Sequence, residues 1–146
     1  MKILSELSKN ASISIPRLSK KLSINTSVLY SRIKRLSKRN LIQKYTILVN
    51  QSLLGLNVKA IVGINRDPKL KESIHLAILK IPEVNTISEV TGRFDMMITL
   101  SAHSLEELHN VVIGQVGKIE GIQNTETFVE MQKTEKDQLF EAKGQA

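Results

Sequence analysis

The positive charge of this 146-residue chain is confined to its first third. Residues 1–50 carry eleven Lys or Arg and one acid, Glu6, for a net charge of +10. Residues 51–146 carry ten Lys or Arg and thirteen acids, for a net charge of −3. A segment of fifty residues so charged repels itself, so the imbalance calls for a counter-charge outside the chain. The pattern points to a basic module that meets a polyanion, followed by a second module with another task. Hydrophobic residues make up 41% of the chain, enough for packed cores. The apolar runs are only a few residues long, as in Ala60-Ile61-Val62, so no membrane span is expected. "MKILSELSKNAS" has no continuous apolar stretch of the kind that forms a secretory leader. There is no cysteine, hence no disulfide, thiolate metal site or cysteine nucleophile. A cytoplasmic protein is the expectation.

The basic third reads as three short helices. Ile3, Leu4 and Leu7 begin an apolar stripe that ends near Asn10. Pro16 suits the first turn of a second helix, where its missing N–H costs nothing. Leu18 and Leu22 form the inner face of that helix, with Lys20 and Lys21 outside. "SIN" makes a three-residue turn, and Asn25 is a good N-cap for a third helix. There Leu29, Ile33 and Leu36 fall at i, i+4 and i+7, on one buried stripe. Asn40 fits the left-handed position that follows a helix end. Two short helices joined by such a turn, behind a supporting helix, make a helix-turn-helix, whose second helix enters the DNA major groove led by its N-terminal residues. Those residues are Thr26, Ser27, Tyr30 and Ser31, with Lys34 extending the base-reading set. Lys20, Lys21, Arg32, Arg35, Lys38 and Arg39 are placed for phosphates, which give affinity and register while base edges give sequence preference.

Residues 45–57 read as a strand and a linker containing Gly55, the strand pattern running from Ile42 to Val49. Beyond them the pattern alternates strand and helix. A strand is expected over 58–66 and a helix over 68–81 with Leu70, Ile74, Ala77, Ile78 and Ile81 inward. Strands over 84–92 and 94–102 join through Gly92-Arg93. A second helix, 104–119, opens on a Ser104/Glu107 capping box, with Leu105, Leu108, Val112, Val116 and Ile119 inward. A last strand covers 121–133. The order β-α-β-β-α-β is that of a ferredoxin-like sandwich, so the fold class is α+β: a helix-turn-helix domain (1–44), a strand and linker (45–57) and a sandwich (58–146). Two helices cover one face of a sheet. Yet Ile61 opposes Ala60 and Val62, Met97 opposes Met96 and Ile98, and Val129 opposes Phe128, so these strands are apolar on both faces, and a second copy of the chain is the natural cover. A homodimer would also pair two helix-turn-helix units for two half-sites on double-stranded DNA.

"LSINTSVLYSRIKRLSKRNLIQKYTILVN" resembles the N-terminal half of the Lrp/AsnC (feast/famine) transcriptional regulators. The resemblance rests on Leu22, Asn25, Arg32-Ile33, Leu36, Leu41-Ile42 and Tyr45, with Asn40 where the family has glycine. "IPEVNTISEVTGRFDMMITL" and "GIQNTETFVEM" resemble the family's C-terminal RAM domain, Gly92 and Asp95 falling on its G-x-x-D. The resemblance covers nearly the whole chain, with the halves in the family's order. It implies that the G-x-x-D loop lies where dimers meet in larger assemblies, up to octamers, and binds a small effector, commonly an amino acid. Gly92 would let the backbone approach the ligand, Asp95 would pair with an α-ammonium group, and Arg93 or backbone N–H groups would take a carboxylate.

Nothing in the chain suggests catalysis or a cofactor. His75, His103 and His109 form no metal-ligand spacing, and the nucleotide-binding and nucleophile motifs are missing. The competing reading is an architectural protein that compacts DNA through charge with little sequence preference. A sensor subunit whose basic half binds a protein is a third.

Overall fold

In the computed structural model, residues 1–140 are described. They form two compact units: Met1–Leu48 together with the chain from Thr134, and Val49–Lys133. Residues 134–140, read from the sequence as the end of the 58–146 domain, make hydrogen bonds to the first helix of the first unit. Gln138 O accepts from Ser8 Oγ (3.3 Å), and Phe140 N–H donates to Ser5 Oγ (3.1 Å).

The first unit holds three helices, α1 (Lys2–Lys9), α2 (Ile15–Leu22) and α3 (Thr26–Lys38). Ser14 caps α2 by accepting from Arg17 N–H, with Pro16 in the first turn. Ser23 takes a left-handed conformation (φ 53°) that ends α2, and its turn is tied by Ile24 N–H to Ser19 O (3.1 Å) and by the Ser19 hydroxyl to Ile24 O. Asn25 caps α3 as expected, its Oδ1 accepting from Ser27 N–H (2.9 Å). Asn40 is left-handed (φ 59°), and Leu41 and Ile42 N–H both return to Leu36 O (2.9 and 3.2 Å), satisfying the helix end. Ile3, Leu18 and Leu29 are the buried centre, ringed by Leu7, Ile13, Ile15, Leu22, Ile24, Ile33 and Leu36.

The strand expected over 42–49 does not form: among the described residues no strand lies between α3 and Val58. The alternating pattern is there, but a strand needs a ladder partner and none is offered among the described residues. Tyr45, Ile47, Leu48 and Val49 are all exposed.

The second unit is the expected sandwich. Its elements are β1 (Val58–Arg66), α4 (Lys71–Leu79), β2 (Val84–Glu89), β3 (Met96–Ala102), α5 (Leu105–Val111) and β4 (Ile122–Val129). The antiparallel sheet has the order β2-β3-β1-β4. Ala60, Val62 and Ile64 of β1 and Met96, Ile98, Leu100 and Ala102 of β3 face the helices. They meet Ile74, Ile78 and Ile81 from α4 and its end, and Leu108, Val111, Val112 and Val116 from α5 and beyond. Each fully buried aliphatic side chain contributes about 1.5–3 kcal/mol of transfer free energy. α5 is shorter than expected, because a π-helical turn over Val112–Val116 follows it. Leu105, expected inward, is 61% exposed. It precedes the buried stripe and borders a shallow notch with Ile113 and Thr127. The opposite sheet face carries Ile61, Met97 and Phe128, with Ile61 38% and Phe128 45% exposed. Among the described residues no helix is long and apolar enough to cross a membrane.

Candidate nucleic-acid interface and effector loop

The interface is built on α3. With Leu29, Ile33 and Leu36 turned to the core, roughly 100° per residue puts Ser27, Ser31, Lys34 and Lys38 along the outermost line of the helix. Tyr30 and Thr26 flank that line on one side and Arg35, Arg32 and Arg39 on the other. All nine are exposed, Tyr30 at 59%. Thr26 through Arg39 include no acid. The structure thus gathers every base-reading candidate on one exposed surface, but it separates Arg32 and Arg39 from the centre line. Ser27 has a second duty: its hydroxyl donates to Asn25 Oδ1 (2.7 Å), which helps hold the helix start. Its lone pairs remain free to accept from a base edge.

Lys20 and Lys21 are exposed at the end of α2. Lys21 is not a free cation, since its Nζ lies 2.5 Å from Glu6 Oε2, and Lys9 Nζ lies 3.6 Å from Oε1 of the same carboxylate. The Lys21 hydrogen bond is the main cause that holds the Glu6 carboxyl below its ordinary value. A lowered carboxyl supports its pair at neutral pH and releases it only as pH falls through that lowered value. The only acid of the basic third would therefore compete with any DNA phosphate for Lys21. Glu6→Gln is expected to strengthen DNA binding a few-fold at low salt and to steepen the salt slope by up to about one counterion. A titration series in salt reads both.

The candidate effector residues Gly92, Arg93 and Asp95 lie together between β2 and β3. Gly92 is exposed at φ 122°, a conformation that L side chains avoid. Asp95 is tied into the loop itself. Its Oδ2 accepts from Arg66 N–H (3.0 Å), its N–H donates to Ile64 O (3.0 Å), and its carbonyl accepts from Val90 N–H (3.1 Å). Asp95 therefore fixes the loop to the end of β1. Arg93 is 80% exposed, with Nη2 3.4 Å from Glu126 Oε2 and its guanidinium 5.7 Å from the centre of the Phe94 ring. A ligand carboxylate would take Arg93 from Glu126 rather than find it free.

Two partners of the loop, Arg66 and Glu126, carry no signal in the sequence. Arg66 is 8% exposed and pairs with Glu89 (Nη2 to Oε2, 2.5 Å), while its buried Nη1 has no protein partner. Phe94 packs on β1 at Gly63, where an added Cβ would sit 2.6 Å from the ring, and meets Phe128 edge-to-face at 6.5 Å. Glycine inside a strand signals such a close approach, so Gly63 could have announced an aromatic neighbour; Arg66 and Glu126 gave no local signal. Among the described residues no cluster of His, Asp and Glu could hold a metal.

The comparisons agree with this geometry. The Lrp/AsnC ligand binding domain family matches residues 59–140, and a winged helix-turn-helix DNA-binding family matches residues 1–43. The chain is similar to the HTH-type transcriptional regulator FL11 of Pyrococcus furiosus, 32% identical over 128 residues (88% of this chain, 84% of that protein). It is also similar to the transcriptional regulator AzlB of Bacillus subtilis, 34% identical over 137 residues (92% and 87%). Among solved structures it superposes on AsnC of E. coli with a TM-score of 0.86 at 25% identity, covering 94% of this chain and 93% of that one. An L-Met complex of a regulator from Neisseria meningitidis shares the fold, with a TM-score of 0.89 at 19% identity, covering 93% and 90%. A basic helix-turn-helix unit, a ferredoxin-like sandwich with a G-x-x-D loop, and relatives that match along most of their length lead to one conclusion: the chain belongs to the Lrp/AsnC family of helix-turn-helix, DNA-binding transcriptional regulators.

Proposed function

We propose that the protein works in the cytoplasm as a homodimeric, sequence-specific and non-enzymatic regulator, and that a small amino acid binds at its Gly92–Asp95 loop. The observation that carries the DNA reading is the exposed line Ser27, Ser31, Lys34 and Lys38 on an acid-free helix. Its N-terminal end offers short hydrogen-bonding side chains to base edges, and Lys20, Arg32, Arg35, Lys38 and Arg39 provide charge for phosphates. Tyr30 and Thr26 flank the reading line. The apolar second face of the sheet, with Ile61, Met97 and Phe128, supports the homodimer. The effector reading is supported by the loop anchored through Asp95, the exposed Arg93 and the open left-handed Gly92. The Neisseria regulator bound to L-Met, and a feast or famine regulatory protein of Mycobacterium tuberculosis complexed with L-methionine, make an amino acid the first ligand to try.

Substitution separates the two kinds of DNA contact. Arg32→Ala and Arg35→Ala are expected to weaken binding to all sequences and to lower the salt slope by about one each. Ser31→Ala is expected to relax preference at one base position, costing about 1–3 kcal/mol on the preferred sequence and little on others. Ser27→Ala should show the same relaxation plus a small loss of helix stability through the Asn25 cap. Equal loss on every sequence from Ser31→Ala would remove the serines from the reading face and favour an architectural role.

A further inference from the structure

Ala60, Val62 and Ile64 alternate along β1 with their side chains in the core, and Arg66 is next in that alternation. Arg66 is 8% exposed, and a guanidinium buried at the end of an apolar row costs desolvation that an aliphatic side chain would not. It recovers part of this from Glu89, the last residue of β2, with Nη2 2.5 Å from Oε2. Nη1 is buried with no protein partner, so stability alone does not account for an arginine here. Glu89 is 41% exposed and keeps its hydration with or without the pair.

What Arg66 does hold is the loop between β2 and β3, by both of its ends. Glu89 stands just before the loop and pairs in the sheet with Met96, just after it. The guanidinium grips Glu89. The backbone N–H of the same arginine donates to Asp95 Oδ2 (3.0 Å), at the other end. Two backbone bonds close the stem, Asp95 N–H to Ile64 O (3.0 Å) and Val90 N–H to Asp95 O (3.1 Å). The tip is built differently. Gly92 is exposed at φ 122°, and Arg93, 80% exposed, reaches Glu126 from the surface. The bonds of Arg66 therefore lie beneath the residues that would meet a ligand, not among them.

We propose that Arg66 is the positioning residue of this loop: its guanidinium and its backbone N–H hold the two stems, so that Gly92 and Arg93 are presented to the ligand in a fixed geometry. The inference rests on the reading that the loop binds an amino acid. Without the grip on Glu89 one stem is released. The ligand must then order the loop as it binds, which lowers its affinity.

The test is Arg66→Met in the full-length protein. Methionine keeps the backbone N–H for Asp95, continues the apolar row and removes the grip on Glu89. Amide hydrogen exchange over residues 88–96 is compared with that at the centres of β1 and β3. Calorimetric titration uses L-methionine, then each of the other amino acids if L-methionine does not bind the wild type. In Arg66→Met, loop exchange should rise about tenfold while the strand centres keep their wild-type rates. Affinity for the amino acid should fall about tenfold. Arg66→Lys keeps a charge for Glu89 and should recover most of both. Unchanged loop exchange overturns the proposal, and so does unchanged affinity beside a loosened loop. Faster exchange throughout the sandwich, or an Arg66→Met that does not fold, marks a merely structural role and overturns it too. A wild type that binds no amino acid removes the effector reading, and the exchange rates then still decide whether Arg66 holds the loop.

Discussion

Leu29→Ala is expected to abolish DNA binding while leaving the sandwich folded. Leu29 is fully buried, and among the described residues it makes the buried centre of the first unit with Ile3 and Leu18. Removing such a leucine costs about 3–5 kcal/mol, the lost transfer energy plus the cavity. A core of this size supplies only about 3–5 kcal/mol in total, so the three helices have no reserve. The sandwich has its own core of fourteen buried residues and does not draw on Leu29. Circular dichroism should show loss of helix equivalent to α1–α3, sizing should show an unchanged assembly, and binding should be lost. A Leu29→Ala variant with full helix content and wild-type affinity would mean that the unit is held by something other than this core.

Ile61→Glu is the second large effect, directed at the open face of the sheet. Ile61 sits on the central strand β1, paired to Thr99 on one side and Phe128 on the other. Its side chain points away from the helices, so a glutamate in an isolated chain keeps its hydration and the sandwich still folds. In a twofold assembly of face-to-face sheets each interface would bury two such carboxylates, with Lys59 of the same strand face the nearest cation along β1. Their desolvation costs roughly 3–4 kcal/mol together, a weakening of self-association by a few hundredfold. Analytical ultracentrifugation should find a monomer with a wild-type melting core, and affinity for a two-half-site duplex should fall toward that of a single half-site. A variant that stays dimeric would place the contact between copies on another surface.

The helices and strands were legible because their signals are local. Asn25 and Ser104 cap the helices they were expected to cap, Asn40 takes the left-handed turn, and the stripe Leu29, Ile33, Leu36 faces inward. The alternation in β1 and β3 told which side chains meet the helices, and also that the sheet is apolar on its second face. What stayed hidden are pairings between residues distant in sequence. Glu6 on Lys21, Asp95 on Arg66 and Gln51 on Ser101 follow from how the elements pack, and no spacing encodes them. Two misreadings have plain causes. Residues 42–49 alternate like a strand but meet no partner strand among the described residues. Leu105 fits the helical period, yet lies in the first turn of α5, ahead of the part that packs on the sheet. The candidate effector loop was legible as three residues. The structure adds that Asp95 is committed to β1 and that Phe94 lies on the same sheet face as Ile61 and Phe128, so the loop borders the face proposed for dimerisation.

The central claim is that the basic third reads a sequence, and not merely a charged surface. Its most direct test is a salt series of DNA binding, titrating the full-length protein against its own upstream region and a scrambled fragment of equal length. The account predicts a preference of about a thousandfold or more at moderate salt, with a steep salt slope on both fragments. Equal, steeply salt-dependent binding to both fragments and to duplexes selected from a random pool would contradict it, and would leave a protein that grips DNA without reading it.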